Sequence, residues 1–305
     1  MLFLGGCKSS PTINASSMQP DSRQSLTISV VDESNASDSA HQKAGSSNAK
    51  VNRETETASS RTPASSRLEN LIPGQFENGI AFQNIHYSLR LPDQFASNES
   101  YPLFVHLPGY EGEWQFGSGA NLQEDFPEAA LAINDSMIIA SLQLNGWDEQ
   151  SGIETNELVE YLINTLPVNP DQVYLLGYSG GGQSGSVAVS QRPDLYSAFA
   201  AISSKWDGDV NSVAVTGFPI AFGIAENDTY YGSIPMKEAM DDLQRAYAKN
   251  GFTDRLRFEV KPDAWVSQMG YSDAHAAGNG FAHDEIMDWL FSWETKPEAD
   301  RNGGS

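Results

Sequence analysis

The chain has 305 residues, a formal net charge of −22 and a sequence pI of about 4.4. Such an acidic surface argues against nucleic acid and anionic membranes as partners, and against a strongly anionic polymer as substrate, because like charges repel. The single cysteine excludes an intrachain disulfide, no Cys/His cluster has zinc-site spacing, and no apolar run is long enough to span a bilayer.

The first residues contain Leu4-Gly5-Gly6-Cys7, which resembles the lipobox of bacterial lipoproteins. That resemblance implies that residues 1–7 are the remnant of an export signal and that Cys7 carries a lipid. Only Met1-Leu2-Phe3 precede the box, without a basic region and almost without an apolar one. We therefore expect the true start to lie upstream, or this segment to be shortened. The alternative is a lone cysteine near an irregular terminus.

Residues 8–67 are rich in Ser, Thr, Asn, Ala and charged side chains, with few aromatic residues and no sustained apolar period. Such a segment cannot bury enough apolar surface to offset its ordering entropy, so we expect a disordered tether. One domain large enough for a sizeable core is predicted over 68–296, followed by a disordered tail over 297–305. With a lipidated Cys7, this organisation predicts a bacterial cell-envelope or extracellular protein, such as an outer-membrane lipoprotein, attached to a membrane only through that lipid.

Strand-like apolar runs alternate with helix-like segments from Ile80 onward. The predicted strands are 82–91, 101–107, 136–142, 173–176, 198–203, 218–225 and 256–260. The predicted helices are 121–133, 154–166, 183–191, 235–249 and 284–293. This alternation predicts an α/β fold with a mostly parallel, twisted sheet and helices on both faces. Residues 205–217 are expected to form only a short loop, so we expect no large cap domain and an open site.

The most informative segment reads Gly177-Tyr178-Ser179-Gly180-Gly181 and lies between a predicted strand and a predicted helix. A serine at such a sharp turn has strained backbone angles, which lift its hydroxyl above the edge of the sheet. The flanking glycines let neighbouring backbone approach without a Cβ clash. The helix that follows directs its N–H groups toward a developing oxyanion. A flexible Gly/Ser loop is the alternative.

An acid and a histidine follow this serine in the chain order typical of α/β-hydrolases, and residues 82–293 resemble that family. Within it, the chain looks most like single-domain exported esterases of the polyhydroxybutyrate depolymerase and feruloyl-esterase type, with some prolyl-oligopeptidase-like character. Asp228, directly after the strand 218–225, looks like the family's acid, although Ala225 stands where a glycine is more usual. Glu226 and Asp207 are the alternatives.

The base is sought among five histidines. His41 and His86 precede the serine and violate the chain order, and His106, at the end of a buried strand, is expected to be a hydrogen-bonded structural residue. His275 lies in a stretch of small residues after the last strand, whereas His283 abuts an amphipathic helix with an acidic first turn. We therefore predict His275 as the base and keep His283 as the alternative.

The segment His106-Leu107-Pro108-Gly109-Tyr110 resembles the family's oxyanion loop, with Leu-Pro inserted where His-Gly is more usual. This resemblance implies that the backbone N–H groups of Tyr110 and Gly180 stabilise the oxyanion. Aromatic side chains are also expected near the rim of the site, where they could contact a substrate ring or serve only in packing: Tyr110, Trp147, Trp206 and Tyr230.

These features predict a serine hydrolase that cleaves carboxylic esters through Ser179, His275 and Asp228 and an acyl-enzyme, on an ester outside the cytoplasm that a polymer could carry. We expect a monomer that needs no metal or organic cofactor and binds no nucleic acid. One alternative is a serine peptidase of the prolyl-oligopeptidase-like type, which a large propeller or cap domain would favour. The other is a non-catalytic surface-binding lipoprotein that kept the fold.

Overall fold

The computed structural model describes Leu68, residues 70–110 and residues 119–294. The chain divides into two units, Met1–Thr57 and Ala58–Ser305, and every described residue belongs to the second. The predicted signal remnant 1–7 with Cys7, the tether 8–67, the domain end at 296 and the tail 297–305 all lie outside the described residues.

One sheet of eight strands organises the fold. Its strands are β1 (Phe76–Phe82), β2 (Ile85–Arg90), β3 (Tyr101–Leu107), β4 (Ile138–Gln143), β5 (Val168–Tyr178), β6 (Ala198–Ile202), β7 (Ile220–Ala225) and β8 (Leu256–Lys261). Their order across the sheet is β1-β2-β4-β3-β5-β6-β7-β8. β1 and β2 pair antiparallel and β2 runs antiparallel to β4, whereas β3 to β8 pair parallel with one another. The predicted mostly parallel sheet is thus confirmed.

Helices follow the strands along the described chain. The α-helices are α1 (Phe126–Ile133), α2 (Glu149–Thr165), α3 (Gly180–Gln191), α4 (Val210–Thr216), α5 (Ser233–Lys249), α6 (Asp263–Gln268) and α7 (Glu285–Phe291). Three 3₁₀ segments add to them: Ala120–Leu122, Pro193–Leu195 and Ala276–His283. No helix among these residues is both long enough and apolar enough to cross a bilayer.

The two faces of the sheet carry separate apolar cores, because successive side chains of a strand point to opposite faces. On β5, Val173 and Leu175 join the core formed with α2, α3, α4 and α5. Tyr174 and Leu176 of the same strand join the core formed with α1 and α7. Burial on both faces explains why the central strands read as continuous apolar runs rather than as alternating ones.

The prediction that 205–217 is only a loop is wrong, because this segment contains α4. The side chain of Asp209 accepts a hydrogen bond from the backbone N–H of Asn211 and caps the helix, which ends at Gly217 with φ 63°. α4 buries little besides Val213 and Ala214, so its apolar period is too short to stand out in the sequence.

Other predicted elements also differ from the structure in their bounds. The predicted strand 82–91 covers β2 but shares only Phe82 with β1, and a turn in which Gln83 has φ 50° separates the two strands. The predicted helix 121–133 starts as a 3₁₀ turn and becomes α-helical only at Phe126, with Pro127 in the first turn. The short helix α6 and the 3₁₀ segment Ala276–His283 had no periodic signal that would have predicted them.

Candidate active site

Ser179 lies at the turn between β5 and α3. Its backbone angles are φ 51° and ψ −124°, a combination that residues other than glycine rarely adopt. Its N–H donates to the Ile202 carbonyl at 2.9 Å, and its carbonyl accepts from the Ser204 hydroxyl at 2.5 Å. Hydrogen bonds on both sides of the residue therefore hold the strained backbone in place. The expected strand-to-helix turn at Ser179 is present.

Close backbone contact explains the glycine two residues after the serine. A Cβ atom on Gly181 would overlap the Leu107 carbonyl at the end of β3 and lie 2.7 Å from the Pro108 carbonyl oxygen. Any side chain here would push α3 away from β3. The glycine thus lets the start of the helix lie directly against the segment that follows β3.

The structure brings Ser179, His275 and Asp228 together in one hydrogen-bonded series. His275 Nε2 lies 3.0 Å from Ser179 Oγ, and His275 Nδ1 lies 2.8 Å from Asp228 Oδ2. Asp228 follows β7 directly, and His275 stands in the turn before the 3₁₀ segment Ala276–His283. Residues far apart in sequence meet because the carboxyl ends of parallel strands share one edge of the sheet.

Asp228 is held in the anionic form. Burial alone would raise the pKa of its carboxyl, but hydrogen bonds from His275, Tyr231 and Tyr230 outweigh burial, and the pKa is lowered from 3.8. Its Oδ1 accepts from the backbone N–H groups of Tyr231 at 2.8 Å and Tyr230 at 3.0 Å. An anionic carboxylate at Nδ1 makes that nitrogen the donor, and His275 Nε2 is then left to accept the Ser179 hydroxyl proton.

The alternative acids and base have other partners. Asp207 accepts from Gln183 Nε2 at 2.7 Å and pairs with Lys205 at 3.2 Å. Glu226 has an exposed side chain. The His283 imidazole is 60% exposed and lies 3.6 Å from Asp125. Among the described residues, Asp228 and His275 are the acid and histidine joined to Ser179 by hydrogen bonds.

The predicted oxyanion loop lies against Ser179. A Cβ atom on Gly109 would be 2.8 Å from Ser179 Cβ and 3.1 Å from the Tyr178 ring, so the Gly109 backbone packs directly against Ser179. Tyr110 is the next residue. Gly180 is the first residue of α3, and its N–H therefore has no intrahelical acceptor. The two backbone groups predicted as oxyanion donors thus belong to residues at or next to the turn, and their role stays a prediction.

His106 is buried and hydrogen-bonded at both ring nitrogens, as expected for a structural residue. Nδ1 lies 2.9 Å from Ser141 Oγ, and Nε2 lies 2.8 Å from Glu124 Oε2. The other carboxylate oxygen of Glu124 accepts from the Gly109 N–H at 2.9 Å. Sequence reasoning missed Glu124, because it precedes α1 and no motif or period distinguishes it from the other acidic residues.

Three of the four predicted aromatic contacts lie beside Ser179 or His275. The Trp147 ring covers Gly180, where any Cβ would overlap it, and meets the Tyr110 ring edge-on at 6.0 Å between centroids. The Tyr230 ring lies 5.4 Å from the His275 ring. Tyr110 and Tyr230 are 69% and 73% exposed, so both could contact a ligand.

Trp206 does not lie beside Ser179 or His275 but next to one of the apolar cores. Its ring packs against Phe199 and Phe222, with centroids 6.4 and 5.8 Å away, next to the core that contains both phenylalanines. Its position favours the packing alternative over the predicted substrate contact.

Sequence reasoning also missed Tyr231, since aromatic residues after the acid carry no distinguishing pattern. Its hydroxyl donates to Gln183 Oε1 at 2.6 Å and its ring lies 5.7 Å from His275. Burial raises the pKa of Tyr231 to about 12, so it is a neutral hydroxyl. The contact ties the segment that carries Asp228 to the helix that follows Ser179.

No family model and no curated protein matches the sequence. The structure is similar to that of a thermostable esterase, at 19% identity and a TM-score of 0.55 over 69% of this chain and 59% of the esterase. It is also similar to a dienelactone hydrolase from Anabaena variabilis ATCC 29413, at 16% identity and a TM-score of 0.51 over 73% of this chain and 100% of the hydrolase.

These likenesses agree with the architecture described above. The matching region corresponds to less than two thirds of the esterase and to the whole of the dienelactone hydrolase. The parallel sheet β3 to β8, the serine at the turn after β5, and the acid and histidine that follow it in chain order are features of the same architecture. This chain has the α/β-hydrolase fold.

Proposed function

We propose that this protein is a serine hydrolase that cleaves carboxylic esters. The observation that carries the proposal is the hydrogen-bonded series Ser179, His275 and Asp228, with a strained serine at the start of a helix. A serine hydroxyl is a weak nucleophile until a base removes its proton, and the base requires a carboxylate that fixes its tautomer. The hydroxyl, the base and the carboxylate are all present in this series.

The proposed reaction has two halves. His275 Nε2 takes the Ser179 proton as Oγ attacks the ester carbonyl, and the Tyr110 and Gly180 N–H groups receive the oxyanion. The tetrahedral intermediate then expels the alkoxide, which takes the proton from His275 and leaves as the alcohol. A water molecule, deprotonated by the same nitrogen, attacks the acyl-enzyme. The carboxylic acid leaves, and the proton returns to Ser179.

The substrate in this proposal is an ester outside the cytoplasm, which a polymer could carry, and Cys7 would anchor the protein to the cell envelope through a lipid. The exposed rings of Tyr110 and Tyr230 beside the site support a substrate that offers an apolar or ring face. The net charge of −22 favours a neutral or cationic substrate over a polyanionic one.

The test combines covalent labelling with an ester panel. Wild-type protein and Ser179→Ala are treated with a fluorescent fluorophosphonate and assayed on nitrophenyl esters, acetylated xylan, feruloyl esters, polyesters and peptide nitroanilides. We expect wild type alone to be labelled and to cleave at least one ester class. Labelling of Ser179→Ala, or cleavage of nitroanilides alone, would overturn the ester-hydrolase proposal.

A further inference from the structure

The loop over the nucleophile is tied to the fold through one carboxylate. Glu124 lies just before α1, and its side chain is 14% exposed. One of its oxygens accepts from the Gly109 N–H at 2.9 Å, and the other lies 2.8 Å from His106 Nε2. His106 is the last but one residue of β3 and Gly109 is in the loop that follows, so Glu124 spans the turn by which the chain leaves the sheet.

Glu124 and His106 share one proton. The Ser141 hydroxyl donates to the Asn121 carbonyl at 2.7 Å, and a carbonyl can only accept. His106 Nδ1, 2.9 Å from the same hydroxyl oxygen, must therefore donate its hydrogen to it. The lone pairs of Nε2 and the carboxylate cannot face each other at 2.8 Å, so one further proton lies between them. The His106–Glu124 pair therefore has no net charge.

This neutrality matters because of where Glu124 lies. An uncompensated carboxylate beside the Gly109 segment would repel negative charge developing on a substrate oxygen at Ser179. The proton shared with His106 removes that repulsion while leaving Oε1 free to accept from Gly109.

The loop needs such an anchor. Gly109 must be a glycine because its Cα faces Ser179 Cβ, and a side chain there would come within 2.8 Å of that atom. Glycine, however, is the residue whose backbone is least restricted, so the Gly109–Tyr110 peptide would be free to rotate. The hydrogen bond from the Gly109 N–H holds the peptide before Gly109 in place, and the Gly109–Tyr110 peptide, which carries the Tyr110 N–H, extends from that fixed plane.

We propose that Glu124 is a positioning residue that, together with His106, orients the Gly109–Tyr110 peptide toward the oxyanion. The proposal rests on the proposed ester hydrolysis. Glu124 touches no reacting atom and acts through the loop backbone. Its effect is largest in the transition state, because a misaligned N–H costs most when the oxygen bears full negative charge.

Three substitutions separate geometry from charge. Glu124→Ala leaves both Gly109 and His106 without the carboxylate. Glu124→Asp keeps the charge but is one methylene too short to reach both partners. Glu124→Gln can accept from Gly109 through its carbonyl oxygen and donate from its amide to the His106 Nε2 lone pair. Glu128→Ala, at an exposed position on α1, is the matched control.

The readouts are kcat and KM on a nitrophenyl ester, the affinity for a trifluoromethyl ketone that forms a tetrahedral adduct, and the midpoint of thermal unfolding. We expect Glu124→Ala and Glu124→Asp to lower kcat about 100-fold with KM changed less than about threefold, because one oxyanion donor is typically worth that much. Ketone affinity should fall in parallel. Glu124→Gln should recover most of the loss, and Glu128→Ala should behave as wild type.

Each other outcome has a distinct meaning. If Glu124→Ala does not fold, Glu124→Asp and Glu124→Gln decide the question. Folded Glu124→Asp with wild-type kcat, a loss expressed in KM alone, or Glu124→Gln as impaired as Glu124→Asp would overturn the positioning role and leave ester hydrolysis standing. A wild type that neither cleaves esters nor binds the ketone would overturn both proposals.

Discussion

At the scale of single residues, the histidine assignment rests on distance rather than on residue type. His275 and His283 are separated by eight positions in sequence, yet only His275 Nε2 reaches Ser179 Oγ, at 3.0 Å. The 3₁₀ segment Ala276–His283 carries His283 away, and its ring pairs with Asp125 at 3.6 Å. The two histidines therefore form a natural pair of test and control positions.

We expect His275→Ala to lose ester hydrolysis by about a thousandfold or more, because in the proposed mechanism Ser179, His275 and Asp228 act as one unit. His283→Ala should keep most of its activity, since its ring is exposed and contacts neither Ser179 nor Asp228 in the described structure. Both are measured as kcat/KM on one nitrophenyl ester, with circular dichroism to confirm folding. The reverse pattern would make His283 the base.

Asp228 links this site to stability at acid pH. Its pKa in the folded state is lowered from 3.8 because the hydrogen bonds from His275, Tyr231 and Tyr230 outweigh the effect of burial. A carboxyl with a lowered folded-state pKa stabilises the fold above its unfolded-state pKa, and this stabilisation is lost as pH falls through the folded-state value. The relevant window thus begins near pH 4 and extends downward.

The prediction is that Asp228→Asn weakens the pH dependence of stability below about pH 4, since asparagine has no proton to take up. Free energies of unfolding are measured by urea denaturation between pH 2.5 and 6 for both proteins. Asp263→Asn, at an exposed position on α6, is the control for removing one negative charge. Equal slopes for wild type and Asp228→Asn would mean that the Asp228 pKa is not lowered in the folded protein.

At the scale of elements, the contact between α3 and the segment after β3 brings Ser179 and the Gly109 loop together. Gly181 makes that contact possible, because its Cα faces the carbonyl oxygens of Leu107 and Pro108. The obstacle to a larger residue is backbone rather than a flexible side chain, so either the helix or the loop would have to move.

Gly181→Ala is therefore expected to destabilise the protein by about 1–3 kcal/mol and to lower kcat, because the shift separates Ser179 from the loop. Gly146→Ala is the matched control, since a Cβ there meets nothing closer than 3.7 Å. Unfolding midpoints and kcat are compared for the two variants. A Gly181→Ala protein as stable and active as Gly146→Ala would show that the contact is looser than described.

At the scale of the whole molecule, the strands and helices β1 to β8 and α1 to α7 and the site residues all lie between Phe76 and Phe291. The buried residues of both apolar cores lie in this range, and among the described residues outside it Leu68, Leu71 and Trp293 pack against them. Residues 8–67 remain a predicted tether, because their composition offers little apolar surface to bury.

A chain that starts at Leu68 should therefore keep the ester-hydrolase activity and the unfolding midpoint of the full chain. The removed segment is predicted to bury little surface, and the described hydrogen bonds of the site lie within 106–275. The measurement is kcat/KM together with differential scanning calorimetry on both proteins. A drop of more than about 5 °C, the equivalent of roughly 1–2 kcal/mol in a domain of this size, would assign 1–67 a part in the fold.

Local patterns in the sequence were sufficient for the central elements of the fold. The apolar run 173–176, the glycines around Ser179 and the helical period after it are short-range features, and a turn between strand and helix depends mainly on them. Chain order then limited the acid and the base to a few candidates. The weakest predictions concerned short elements such as α4, although Asp209 and Gly217 were local cap signals that could have identified it.

Only the tertiary structure decided which candidates meet. Glu124, Tyr231 and Gln183 are ordinary polar or aromatic residues in sequence, and their contacts with Gly109 and with each other exist because the sheet brings separate loops to one edge. Trp206 was equally plausible beside the site, yet it packs on Phe199 and Phe222. The physical reason is that helices and turns are encoded by neighbours along the chain, whereas hydrogen bonds such as that between His275 and Ser179 depend on positions set by the packing of the whole sheet.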